Sequence, residues 1–288
     1  MEFFYFDTSG LNHLFDDCHN ITSRLLETNS KIFISVFTVA EIASTYDISR
    51  RNSLLQLAKN VSRNYRPLAS PAELLKRSIE SIKVRAPYMH SSMSRKWDGV
   101  WAILNNPSLI DDKVFQEIKE WKQQQEQWFN DMHARGRPHL QNALESISDS
   151  IKFSSFSQLL RYHSPDKQST KEFVLDIASH ASPNAKVDFD LVDRMLNYSE
   201  HWRFFLSSMV YSLYVRSVQN THYSRSQNPG SIDTQQAIYL ASCDVFVTAD
   251  SGQRNMLRLL VPLGHKNRQV WTYKKFANWI QSETEFSR

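Results

Sequence analysis

Four acidic residues stand where a carboxylate can do chemistry as well as hydrate a surface: Asp7, Glu41, Asp233 and Asp250. Asp7 ends the apolar, aromatic run Phe3-Phe4-Tyr5-Phe6, and Asp250 ends Val245-Phe246-Val247-Thr248-Ala249. Glu41 follows the apolar run 31–37, and Asp233 opens a stretch containing Ala237, Ile238, Leu240 and Ala241. Carboxylate oxygens suit hard cations such as Mg²⁺ or Mn²⁺. A divalent ion can activate water and relieve the charge that builds during phosphodiester hydrolysis. Carboxylates gathered from separate elements repel one another unless a cation lies among them. Convergence of these acids therefore predicts a metal site, with Asp7, Asp233 and Asp250 as ligands and Glu41 completing the shell or orienting the attacking water.

Each residue also has a plainer role. Asp7 can cap a helix beginning near Gly10, and Thr8 and Ser9 can cap it or orient a metal-bound water. Thr38-x-x-Glu41 has the form of a capping box. Asp233 can be a favourable first-turn acid near a Ser231 cap, and Asp250 a turn residue before Ser251-Gly252. Asp244 precedes its strand. At roughly 3.3 Å per residue it falls about 20 Å from Asp250, which predicts a structural role.

The elements that must position these acids alternate. Phe3 to Phe6 reads as a buried strand, followed by a helix through Leu11, Leu14 and Phe15. Lys31 to Phe37 reads as a second strand, with a helix opening at Thr38. Near the other end, 233–242 reads as a helix, 244–250 as a third strand, 254–260 as a short helix and 269–273 as a fourth strand. Buried strands alternating with helices predict a parallel α/β sheet, in which functional groups gather at the carboxyl ends of the strands. Between these halves, helical patterns dominate 71–86, 111–133 and 186–220, with softer joints near Arg135-Gly136-Arg137-Pro138 and Ser164-Pro165. The expected organisation is an α/β core from 1–60 and 221–288 carrying an all-helical insertion over 61–220.

Taken together, Phe6-Asp7-Thr8-Ser9, Thr38-Val39-Ala40-Glu41-Ile42, the Ala-rich stretch from Asp233 and Val247-Thr248-Ala249-Asp250 resemble the motifs of the PIN-domain nucleases. The likeness covers roughly the first fifty and last sixty residues; the long helical middle departs from the compact members of that family. The resemblance implies a doubly wound α/β/α core, Mg²⁺ or Mn²⁺ dependence and cleavage of nucleic acid, RNA before DNA. It gives Thr8, Ser9 and Thr248 supporting places. Arg254 and Arg258 follow the last acid and can hold substrate phosphates, or they can form a solvated helix face. The rival reading is a catalytically silent PIN-like module that binds nucleic acid or serves as a scaffold. A small-molecule phosphohydrolase is disfavoured because no Asp-x-Asp pair follows the first strand.

Bulk properties fit a cytoplasmic enzyme with a polyanionic partner. The net charge is +4, and the basic excess falls within 61–230. An inhibitor protein or a second copy of the chain are further candidate partners. Cys18 and Cys243 form no CxxC pair, so a thiolate zinc site or disulfide scaffold is not expected, and a reducing compartment is. The histidines show no HExxH spacing, and no glycine-rich nucleotide loop is present. The tryptophans of the middle region can stack bases, but their helical spacing favours the core. The N-terminus lacks a signal-peptide pattern, and the apolar run Phe204 to Val215 is too short to span a bilayer, so no membrane association is expected.

Overall fold

Four short runs of aromatic and β-branched residues pair into one parallel sheet: β1 (Phe3–Phe6), β2 (Lys31–Phe33), β3 (Val245–Val247) and β4 (Gln269–Trp271). The structure, a computed structural model, describes residues 2–17, 20–85, 91–145, 168–182, 184, 186–217 and 229–286. The strand order is β2-β1-β3-β4. In register, Tyr5 lies beside Phe33 and Phe246, and Val247 beside Trp271. The helices are α1 (Thr8–Asp16), α2 (Ile21–Glu27), α3 (Val36–Ala43), α4 (Ile48–Val61), α5 (Pro71–Lys83), α6 (Asp98–Asn105), α7 (Asp112–Glu145), α8 (Gln168–Ala181), α9 (Phe189–Tyr198), α10 (Glu200–Ser217), α11 (Ser231–Gln236), α12 (Ser251–Leu260) and α13 (Tyr273–Phe286). The chain is thus mostly helical around a small parallel α/β sheet, and no helix among the described residues is long and apolar enough to cross a membrane.

Side chains alternate across a strand, and the two faces of this sheet have different cover. Phe4, Phe6, Val245, Val247 and Trp271 share a core with residues of α1, α2, α4, α6 and α13. Tyr5, Phe246 and Val270 point the other way, into a core built largely by α5, α7, α8, α9, α10 and α12. Most of the helices between residues 71 and 217 therefore form the layer over the Tyr5 face of the sheet, whereas α6 and the start of α7 pack on the opposite face. The chain entering them is also tied to the sheet's edge. Leu68 N–H donates to Ile34 O (2.8 Å), and Val36 N–H donates to Leu68 O (3.0 Å). The tryptophans of this region pack inward: Trp202 is wholly buried, and Trp121 meets Phe37 and Trp97 edge-on.

Several boundaries differ from the sequence reading. The second strand stops at Phe33, because Ser35 caps α3: its Oγ accepts from Thr38 N–H (3.2 Å). Thr38 is then the third helical residue, and the Thr38–Glu41 capping box does not form. The helix expected over 233–242 divides into α11, which starts from Gly230 and not from a Ser231 cap, and a 3-10 turn over Ala237–Ser242. β3 and β4 are shorter than expected, and α13 begins at Tyr273. Residues 135–138 are no joint: they lie inside α7, with Pro138 accommodated within the helix. The pattern over 186–220 resolves into α9 and α10, meeting at Ser199, whose Oγ accepts from Trp202 N–H (3.3 Å). Cys18, Ala86, Ser164, Pro165, 218–228 and the ends of these readings there lie outside the described residues; Cys243 is buried with a free thiol.

Because Tyr5, Phe246 and Val270 depend on those helices for cover, the sheet should not fold without them. Replacing residues 69–217 with a flexible linker is expected to abolish the cooperative thermal transition and to give strong binding of a hydrophobic dye. A shortened chain that melts cooperatively and stays dye-silent would show that the sheet stands alone.

Candidate active site

In a parallel sheet, the crevice between strands whose connections leave in opposite directions opens at their carboxyl ends. Here the chain runs from β1 to β2 on one side and later returns to place β3 on the other, so that crevice lies between β1 and β3. Asp7 immediately follows β1, and Thr248 follows β3.

Asp7 is 2% exposed and caps α1. Its Oδ1 accepts from Gly10 N–H (2.6 Å) and Ser9 Oγ (2.9 Å), and its Oδ2 accepts from Thr248 Oγ1 (2.7 Å) and Ser9 Oγ (2.8 Å). The helix start is close-fitting: a Cβ on Gly10 would stand 3.0 Å from Val247 O and 3.1 Å from Asp7 Oδ1. Ser9 also joins the two strand ends, its Oγ accepting from the N–H groups of Ala249 (2.9 Å) and Asp250 (3.2 Å). Asp250 in turn caps α12, accepting from Gln253 N–H (2.6 Å). The capping readings of Asp7 and Asp250 and a place at the crevice are thus compatible.

Glu41 comes from the middle of α3, one turn beyond its capping residues. Its Oε2 accepts from Thr8 Oγ1 (2.6 Å) and Gln236 Nε2 (3.3 Å), and its Oε1 lies 4.0 Å from Lys122 Nζ. Asp233 is the third residue of α11 and accepts from Gly230 N–H (3.1 Å). Behind it, the buried Gln253 donates through Nε2 to Gln236 Oε1 (2.9 Å) and to Asp233 O (3.3 Å). This pair couples α12, α11 and, through Gln236, Glu41.

The acids sense one another. Burial raises the Asp7 carboxyl to about 7 against the pull of its Gly10, Thr248 and Ser9 donors, and Glu41 adds to the rise. Burial raises Asp233 to about 7 as well, followed by the charges of Glu41, Asp7 and Asp250. Glu41 is also raised, mainly by burial, while Thr8, Lys122 and Gln236 oppose the shift. The four acids therefore share one electrostatic neighbourhood. Among the described residues, however, no group of three or more His, Cys, Asp or Glu side chains is arranged to hold a metal ion.

Asp244 lies elsewhere. Its side chain accepts from Phe3 N–H (3.0 Å) at the amino end of β1, the structural place that strand geometry predicted. Arg254 and Arg258 lie on α12, and neither forms a salt bridge with the four acids; Arg254 Nε is buried without a hydrogen-bond partner, and Arg258 is exposed. The residues that sequence reasoning missed are Lys122, Gln236 and Gln253. Gln236 and Gln253 each lie near a recognised acid, but glutamine in a helix carries no signal of its own. Lys122 belongs to α7, remote in sequence from all four acids.

A carboxyl whose folded pKa lies above its unfolded value favours the folded state at low pH and loses that contribution as pH rises through the folded value. Asp7 and Asp233 rise from 3.8 to about 7, so chelator-treated protein should lose stability between about pH 4 and 7 and then level off with respect to these groups. Asp233→Asn should flatten that decline and raise the melting temperature at pH 7.5 by about 2–4 °C, equivalent to ~1 kcal/mol. An unchanged slope in thermal melts across this range would refute the mutual burial of these acids.

No family model matches the chain, and comparison with curated proteins and with solved structures gives no match either.

Proposed function

We propose that the chain is a Mg²⁺- or Mn²⁺-dependent nuclease with a doubly wound, PIN-like core, hydrolysing phosphodiester bonds in single-stranded nucleic acid, RNA before DNA. The observation that carries this reading is the electrostatic state of Asp233, raised to about 7 by burial and by the charges of Glu41, Asp7 and Asp250. Such a grouping stores repulsion that a divalent cation relieves. Its oxygen-only chemistry suits Mg²⁺ or Mn²⁺.

Asp7, Asp233 and Asp250 would hold the ion, directly or through water, with Glu41 completing the shell. When bound, the ion would supply charge relief at phosphorus and an activated water. The chain's own residues do the positioning. Ser9 and Thr248 fix the Asp7 carboxylate. Thr8 and Gln236 orient Glu41. Lys122, beside Glu41 on the wall formed by α7, is placed to meet a substrate phosphate. The basic excess of residues 61–230 favours a polyanionic substrate. The hydrogen bonding of these acids also favours a second reading, a catalytically silent PIN-like binding module: Asp7 and Asp250 already serve as caps, accepting from Gly10 and Gln253 N–H.

The test incubates purified protein with single-stranded RNA, single-stranded DNA and a generic phosphate ester, with Mn²⁺ or with EDTA. RNA cleavage should require the metal and should fall to the EDTA level in Asp7→Asn and Asp233→Asn. Thr8→Val should lower activity or metal affinity about 10–100-fold, the range for a residue that orients a ligand. Lys122→Gln should raise KM about tenfold with a smaller effect on kcat, as expected for loss of a charged hydrogen bond to bound phosphate. RNA binding without turnover in any metal would select the silent module. Cleavage that survives EDTA and both aspartate variants would sink the proposal.

A further inference from the structure

A second cleft, of about 730 Å³, lies towards the edge of the sheet opposite the acids, where the loop 264–268 leads into the amino end of β4. Its walls come from the end of α5, from α9, from the start of α10 and from that loop. Arg85, Arg194, His265 and Lys266 line it, and Glu200 is the only carboxylate among its described lining residues.

That carboxylate is not available to neutralise the basic groups. Glu200 accepts two hydrogen bonds from Arg268, at 2.8 and 2.5 Å, and a third from His265 N–H. Arg268 is itself buried, with its guanidinium against the Phe204 ring. Burial alone would raise the Glu200 carboxyl, but these donors hold it below its ordinary range. The loop can close over this pair only because residue 264 is glycine: a Cβ there would stand 2.7 Å from Arg268 Nη1 and 2.8 Å from Phe204 Cζ. His265 Nε2 faces Arg203 Nη2 at 3.1 Å. His201, which lines the cleft, is neutral near pH 7, because burial lowers it to about 4.

Among the described residues, three full cations remain at the cleft: Arg85, Arg194 and Lys266. None forms a salt bridge among the described residues. Arg194 has a single long hydrogen bond, to Ile82 O at 3.4 Å, which leaves most of its planar donor set free. Cations of one sign around a concavity focus potential into it, and arginine donors match phosphate geometry. Tyr198, also in the lining, is 76% exposed and offers a ring on which a base can stack.

We propose that this cleft binds a small phosphorylated ligand, specifically a free mononucleotide, through Arg85, Arg194 and Lys266, with Tyr198 against its base. The cleft shares no residue with the acidic crevice, so the proposal does not depend on the nuclease reading.

The test is calorimetric titration of the full chain in EDTA with ADP, adenosine and inorganic phosphate. ADP should bind with a Kd of about 10–100 μM, an ordinary value for a few charge-assisted contacts, and adenosine at least tenfold more weakly. Arg194→Gln combined with Lys266→Gln should weaken ADP at least tenfold, and Arg85→Gln alone should weaken it measurably. Tyr198→Ala should weaken ADP but not phosphate, whereas Asp233→Asn should change neither. The substitutions within the cleft lie at solvent-accessible positions, and unchanged melting curves would establish that those variants are folded. No heat with ADP at 1 mM (about the −4 kcal/mol limit of weak binding), or ADP affinity indifferent to the cationic variants, would overturn the site. Phosphate binding as tightly as ADP would overturn its assignment to a nucleotide.

Discussion

The arrangement turns on the burial of one carboxylate, Asp7, at the end of a strand that is itself enclosed on both faces. β1 lies between β2 and β3 and sends Phe4 and Phe6 into one core and Tyr5 into the other. A chain leaving such a strand cannot hold its next side chain in solvent without abandoning the sheet early. The Asp7 carboxylate is therefore desolvated, and its cost is offset by one amide and two hydroxyls within three residues of it in the chain or across the β3 end. Those donors do not restore its ordinary acidity, and burial still dominates. Once Asp7 is fixed, Ser9 and Thr248 bind the strand ends to each other, which sets where Asp250 and α12 begin.

The helices between the two ends of the chain do two jobs that are hard to separate. They cover the Tyr5, Phe246 and Val270 face, where Tyr5 stacks on Tyr239 at 4.7 Å and its hydroxyl reaches Ser35 at 2.9 Å. They also supply α7, a long helix that carries Lys122 to Glu41 and whose Gln125 O accepts from Gln235 in α11. The layer that completes the core is thus the layer that walls the acidic crevice. A substitution in α7 need not touch an acid to move Glu41 or Asp233.

Where the local chain decides the outcome, the sequence was readable. Asp7 and Asp250 end apolar runs and start helices, and Asp233 lies in the first turn of one; each position follows from strand and helix chemistry within a few residues. The misreading at 34–37 has a local cause. Ile34-Ser35-Val36-Phe37 has the composition of a strand, but Ser35 takes the cap and α3 is buried on nearly every side, so its apolar residues show no helical stripe. That error made Glu41 look like a capping residue, when it is an interior helix position facing Thr8. The contacts of Lys122, Gln236 and Gln253 were not readable for a different reason. Each depends on tertiary closure, as in the Gln236–Glu41 bond across 195 positions, and no spacing rule reaches that far. Arg135 to Pro138 shows the converse: residues that break isolated helices lie inside α7, where Gly136 is packed against Phe173 and Leu213.

Helix capping and ion binding are often treated as competing explanations for an acid, yet the capping seen at Asp7 and Asp250 is compatible with the proposed ion. Asp7 and Asp250 cap α1 and α12, so the positive ends of two helices point towards the crevice where the acids collect. Those helix ends favour the charged acids, yet burial, with the charges of the neighbouring acids behind it, still holds Asp7 and Asp233 near 7. A group poised there is half protonated at neutral pH, and small changes in its surroundings shift it either way. Protons can occupy the crevice in the absence of a cation, and a cation must displace them to bind. On the proposed metal-binding reading, affinity for a divalent ion should rise with pH up to about 7 and flatten above it, a profile set by the burial of Asp7 and Asp233 and not by the identity of the ion.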